Sequence, residues 1–137
     1  MAGYSGTPLA RKLGLQPGHR VALVGAPPGF PAAIEGVPDG VTFETHPAGY
    51  VAAPITLLFE TSAAALAGVI PTAADAMPAG GMLWVAWPKQ TARRVVPSDV
   101  TEDVVRALAL AAGLVDVKVC AISEVWSGLK LVRRRAR

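Results

Sequence analysis

The run Ile55-Thr56-Leu57-Leu58-Phe59 is apolar at nearly every position, the pattern of a strand covered on both faces rather than one. Only nine residues, His46 to Pro54, separate it from the preceding strand-like run, Val41-Thr42-Phe43-Glu44-Thr45. A helical crossover between adjacent parallel strands takes about a dozen residues or more. These two strands are therefore expected on opposite sides of an earlier one, at residues 20–25, which is fed by the loop Gln16-Pro17-Gly18-His19.

The other elements follow from caps and periodicity. Thr7 can cap a short helix that starts at Pro8 and ends at Gly14. A brief helical stretch is expected at 31–36, before the turn Pro38-Asp39-Gly40. Thr61 or Ser62 caps an alanine-rich helix, expected to break at Pro71. A fourth strand, Met82 to Trp87, ends at Pro88-Lys89. The best helix starts at Thr101, with Glu102 and Asp103 in its first turn, an apolar stripe of Val104, Val105, Leu108, Ala111 and Ala112, and Gly113 at its end. Two closing strands, at 116–124 and 128–134, make a hairpin. Strands alternating with helices predict one α/β domain, a Rossmann-like three-layer fold with a mostly parallel six-stranded sheet. The expected order is 2-1-3-4-6-5 with the last strand antiparallel, and its switch point lies beside the carboxyl end of strand one.

With 137 residues the chain makes one domain, assigned here to residues 1–132, and a hydrophobic content of 52% rules out general disorder. No apolar run has membrane-spanning length, no signal peptide is read at the start, and a single cysteine, Cys120, forms neither an internal disulfide nor a metal cluster. A cytoplasmic location is expected. Charge is uneven: three basic and five acidic residues up to position 88, ten basic and five acidic after it. Residues 133–137, Arg-Arg-Arg-Ala-Arg, read as a solvated basic tail, without the interleaved aromatics of a single-strand binder.

After strand one a nucleotide-binding loop would carry glycines, whose free N–H groups admit phosphate or cofactor. This chain has Gly25-Ala26-Pro27-Pro28-Gly29-Phe30, and two prolines remove two donors. The entry to that strand, Leu13-Gly14-Leu15-Gln16-Pro17-Gly18-His19-Arg20-Val21, resembles that of class I S-adenosylmethionine-dependent methyltransferases, as does the closing helix–strand–hairpin. On that resemblance Gly25 and Gly29 survive from the glycine motif with Pro27 in its middle, and Glu44, nineteen residues past Gly25, falls near the acid that holds a ribose hydroxyl. Three blocks resemble a family of small, mainly actinobacterial proteins classed as a domain of unknown function. These are Gly3-Tyr4-Ser5-Gly6-Thr7-Pro8-Leu9, Trp84-Val85-Ala86-Trp87-Pro88-Lys89, and Val119-Cys120-Ala121 with Trp126-Ser127-Gly128-Leu129-Lys130. This resemblance implies a degenerate methyltransferase-like fold.

Lys89, behind two tryptophans and a proline at a strand end, can act as nucleophile, base or anion-binding cation; its commoner role is a solvated lysine opening a loop. Trp84 and Trp87 face opposite sides of their strand, and Trp87 can stack on a planar ligand, although core packing is the usual use. Glu124, Trp126, Ser127 and Lys130 gather at the hairpin and can supply an acid, an aromatic wall and a hydroxyl; turn chemistry with an exposed ion pair is the commoner explanation. Tyr4 and Ser5 can extend as a polar arm. The expected catalytic pair is Lys89 and Glu124, and the expected ligand contacts are Gly25, Gly29, Phe30, Glu44, Trp87, Lys89, Trp126 and Ser127, with no metal and no cofactor. The functional expectation is a small-molecule or protein binding or regulatory module without S-adenosylmethionine-dependent activity. Alternatives are a cofactor-independent enzyme using Lys89, and polyanion or nucleic-acid binding through the tail. Expected partners are a small molecule or a protein, including a second copy of the chain; no membrane is expected, and nucleic acid is not the primary expectation.

Overall fold

A computed structural model describes residues 6–134. Its elements in chain order are α1 (Leu9–Leu13), β1 (Arg20–Val24), β2 (Thr42–His46), β3 (Ile55–Phe59), α2 (Ala63–Ala76), β4 (Met82–Pro88), α3 (Glu102–Ala111), β5 (Leu114–Ala121) and β6 (Trp126–Arg133), with a short 3-10 turn at Gln90–Ala92. The sheet order is β2-β1-β3-β4-β6-β5. The first four strands run parallel and β6 is antiparallel to both β4 and β5. This is the order expected from the short connection between β2 and β3. β3 is buried at all five positions, as its sequence requires.

The sheet separates two apolar layers. On the helix face, α2 and α3 place Leu66, Ile70, Ala73, Val105 and Ala109 over Val24, Leu58, Val85, Trp87 and Leu129. On the opposite, loop face, α1 and the β1–β2 connection place Leu9, Leu13, Phe30 and Ile34 over Val21, Leu23, Leu57 and Trp84. Trp84 and Trp87 thus point to opposite faces, and the Trp84 indole N–H donates to the Leu13 carbonyl at 3.0 Å. The β2–β3 connection crosses the helix face, where Tyr50 packs. The β1–β2 connection covers the loop face and the β2–β3 connection returns over the helix face to the other side of β1, as right-handed crossovers running in opposite directions across one sheet require.

Several local expectations are corrected. Residues 31–36 form turns, with Ala33 N–H donating to the Gly29 carbonyl at 2.8 Å and Ile34 N–H to that of Pro31 at 2.9 Å. The stretch ends at Gly36, whose φ of 76° lies outside the helical region, and Pro31 supplies no N–H, so the chain closes into turns instead of a helical ladder. Conversely, α2 runs unbroken through Pro71. Pro71 lies on the exposed side, and buried Ile70, Ala73 and Ala74 hold both halves against the sheet. In α3, Ala109 rather than Ala111 fills the buried stripe. The hairpin turn falls at 122–125, earlier than expected, because the Ser123 hydroxyl accepts from the N–H groups of Val125 and Trp126 at 3.2 and 3.1 Å. Arg133, read as the first tail residue, closes β6, and its guanidinium donates to the carbonyls of Asp75 and Met77 at the end of α2. The expectations for Tyr4 and Ser5, and for the tail past Arg134, lie outside the described residues.

Candidate functional site

The carboxyl ends of β1, β3 and β4 meet at one edge of the sheet. Gly25 N–H donates to the His46 carbonyl at 2.8 Å, and a Cβ on Gly25 would sit 2.9 Å from the Phe59 carbonyl oxygen. With a φ of 65° as well, this position admits only glycine, for reasons internal to the sheet. Beyond it, Pro27 and Pro28 carry no donor, but the N–H groups of Ala26 and Gly29 form no hydrogen bond among the described residues. Gly29 has a φ of 100° and nothing within 4 Å of where its Cβ would be. The turn therefore keeps an open, donor-bearing flank beside the two prolines.

Phe30 follows and packs on Phe59, with ring centroids 5.0 Å apart at 57°. Phe59 in turn meets Trp126 edge-on at 5.1 Å and 85°. This aromatic trio closes the loop face at the site. At the end of β3, Glu60 Oε2 accepts from the N–H groups of Thr61 and Ser62 at 2.9 and 3.1 Å. Ser62 Oγ accepts from Ala65 N–H at 3.1 Å, and Asp99 Oδ1 accepts from Ala63 N–H at 2.7 Å. The positive end of α2 is thus answered by the chain's own carboxylates, so an incoming anion gains little there.

At the end of β4, Lys89 is half-buried and its N–H donates to the Val125 carbonyl at 2.7 Å, which sets its backbone beside the hairpin tip carrying exposed Glu124. The following turn is held by Ala92, whose carbonyl accepts from the N–H groups of Val95 and Val96 at 3.0 and 2.9 Å. Arg93 donates through Nη2 to the Val100 carbonyl, while its buried Nε has no partner among the described residues.

Gly25, Gly29, Phe30, Lys89 and Trp126 are therefore brought to one edge. Trp87 is not: it is 5% exposed in the core of the helix face, and Ser127 lies opposite it in the sheet register. Glu44 sits two residues short of the β2 end, opposite Ala22, and is engaged by Arg20 at 3.4 Å and His46 at 3.8 Å. Its carboxylate belongs to a polar strip along an edge strand. Phe59, Glu60, Arg93 and Arg94 were not singled out from sequence. For Glu60 the signal was its position directly after the buried run; the arginines lay in a segment read as an irregular connection. Among the described residues no three of His, Cys, Asp and Glu gather to hold a metal, and no helix is long and apolar enough to cross a membrane.

No family model and no curated protein matches the sequence. Solved structures do match in fold. The O-methyltransferase of neocarzinostatin biosynthesis, in complex with S-adenosylmethionine and 2-hydroxy-5-methyl naphthoic acid, aligns with a TM-score of 0.66 at 16% identity over 96% of this chain and 53% of its own. The mitomycin 7-O-methyltransferase aligns at 0.65 and 12% identity over 85% of this chain and 49% of its own. The magnesium protoporphyrin IX methyltransferase of Synechocystis, with S-adenosylhomocysteine bound, aligns at 0.59 and 15% identity over 91% and 78%. The chain thus spans about half the length of the first two.

These likenesses overturn the expectation of a module set apart by lacking S-adenosylmethionine-dependent activity, since similar structures hold that cofactor or its product. Two prolines do not by themselves remove a cradle: beside them the N–H groups of Ala26 and Gly29 have no hydrogen-bond partner among the described residues. The chain is a single small α/β domain with a methyltransferase-like Rossmann fold.

Proposed function

We propose that this domain binds S-adenosylmethionine at the carboxyl edge of β1 and β3 and serves methyl transfer. The observation that carries the reading is the open flank at Gly29, beside the strand ends, in a fold whose similar solved structures include cofactor-bound methyltransferases. The N–H groups of Ala26 and Gly29 would hold the cofactor's polar groups at the turn that follows β1. Bound there, the cofactor supplies a methyl group activated by its sulfonium. The chain's own part is to orient it and, through the aromatic trio, to keep water from the loop-face side. A cytoplasmic setting, and membership of the small actinobacterial family whose sequence blocks it resembles, belong to the same proposal.

Calorimetric titration with S-adenosylhomocysteine tests the reading. Saturable one-to-one binding is expected, and ligand at a hundred times its Kd should raise unfolding free energy by about 2.7 kcal/mol. Gly29→Val should weaken binding at least tenfold, because a branched side chain enters the open flank. Absence of heat and of any stability gain with both S-adenosylmethionine and S-adenosylhomocysteine would discard it.

A further inference from the structure

We infer that the outer edge of β5 takes an extended strand from an acidic protein partner, one whose carboxylates alternate with apolar side chains. The surface lies apart from the proposed cofactor site, since β3, β4 and β6 stand between β1 and β5.

A β-bulge divides β5 into a covered half and an open half. Its register with β6 slips between Asp116 and Lys118, which leaves Val117 without a partner. Before the slip, Leu114 is buried in the helix-face core and Asp116 is held by Arg106 of α3 at 3.0 Å. After it, residues 118–121 run in unbroken antiparallel register with residues 127–130 of β6. β5 ends the sheet, and beyond that pairing the backbone of 118–121 makes no hydrogen bond among the described residues. Val117 and Val119 are 51% and 44% exposed, and Lys118 is exposed between them.

Register also fixes what each side of this edge presents. Lys118 is opposite Lys130 and Cys120 is opposite Gly128, so the four share a face. It is the loop face: Lys130 is in turn opposite Trp84, and its Nζ lies 4.0 Å from where a Cβ would stand on Gly14, the C-terminal cap of α1. Val119 is opposite Leu129, which belongs to the helix-face core, and therefore faces the other way. Like charges directly opposite on two antiparallel strands repel. Among the described residues neither Lys118 nor Lys130 enters an ion pair, and the acid of β5, Asp116, is held on the helix side by Arg106. At the other edge of the sheet the Glu44 carboxylate is answered by Arg20 and His46. Charge is thus balanced on β2 and left unbalanced on β5 and β6.

A lysine on an edge strand discourages pairing. It does so here for a second copy, because two such edges joined in antiparallel fashion add a second uncompensated lysine pair to the same face. For a strand with carboxylates on its loop-face side the effect reverses: the repulsion is relieved, charge-assisted contacts form, and the alternate, apolar residues cover Val119 on the helix side. A nucleic-acid backbone would answer the lysines but leave Val119 and the strand's own donors and acceptors uncovered.

The test is fluorescence polarisation with a labelled peptide that alternates glutamate and valine, compared with its glutamine–valine counterpart. The acidic peptide should bind roughly tenfold tighter, with a preference that shrinks as salt rises. Lys118→Gln and Lys130→Gln should each cut that preference severalfold with the melting temperature unchanged. On the unaltered protein, the acidic peptide should slow hydrogen exchange at residues 118–121, and N-methylation of the peptide backbone should abolish binding. Equal affinity for the two peptides, binding that survives N-methylation, or protection confined to other segments overturns the inference. A chain that dimerises through this edge overturns it as well, as does duplex DNA that displaces the peptide when phosphate and carboxylate are equal in concentration.

Discussion

Gly25 shows how much of this site is decided by single atoms. Its φ of 65° and the 2.9 Å gap that would separate an added methyl carbon from the Phe59 carbonyl oxygen act together, so even alanine must move backbone that three strands share. Gly18 has a similar φ of 78° but open space where its Cβ would be. Gly18→Ala should therefore cost about 1 kcal/mol, the left-handed strain alone, and Gly25→Ala about 2–4 kcal/mol. Urea unfolding of the two variants checks this, and equal losses would show that the carbonyl contact imposes nothing. Sequence alone singled out Gly25, but for its place in a glycine motif. The structure adds a packing reason that no motif contains. Pro27 and Pro28 mislead in the opposite direction: they removed donors on paper, while the neighbouring Ala26 and Gly29 keep theirs. Glu44 was legible as an acid near a strand end, but its engagement by Arg20 and His46 depends on strand register, which spacing along the chain does not encode.

Elements were read best where one local signal settled them. Thr101 caps α3 by accepting from Val104 N–H at 3.2 Å, as its position before Glu102 and Asp103 implies. Pro71 was misread because a proline's local cost was set against nothing, while the buried residues on either side repay it. The attachment of α3 to the edge strand was not legible at all. Arg106 reaches from α3 to Asp116 of β5 at 3.0 Å, and also pairs with Glu102 and Asp103. The Arg106 guanidinium holds the Asp116 carboxyl below its ordinary range. A depressed carboxyl stabilises the fold above its unfolded pKa of about 3.9, and that contribution disappears as pH falls through the folded value. Asp116→Asn should thus melt slightly lower than the parent at neutral pH, with the gap closing below about pH 4 and narrowing in high salt. Thermal melts across that range decide it; a gap that persists into acid would mean that Asp116 acts through packing instead of charge.

At the scale of the whole molecule the two sheet faces are unequally clothed, yet they depend on one another. The helix face has α2 and α3; the loop face has a five-residue helix and a connection made of turns. Sheet order was legible because nine residues are too few for an ordinary crossover, a constraint of chain length that any side chains would obey. How the loop face is sealed was not legible, since Phe30, Ile34 and Leu13 converge on Trp84 and Phe59 from segments far apart in sequence. Isolated, α1 is too short to persist as a helix. In the fold it is fixed by Leu13, 2% exposed, whose carbonyl receives the Trp84 indole, and by the Ala10 N–H donating to the Glu35 carbonyl at 3.0 Å. Leu13→Ala should accordingly cost about 3 kcal/mol, as much as a central core leucine such as Leu66→Ala. Because β1, β3 and β4 contribute side chains to both layers, loosening either layer loosens the same strands. Both variants should therefore unfold in one transition, with tryptophan fluorescence and far-ultraviolet dichroism coincident. An early fluorescence change in Leu13→Ala, with helix signal retained, would instead show a loop face that detaches by itself, leaving the carboxyl edge without the aromatic cover beside the proposed cofactor site.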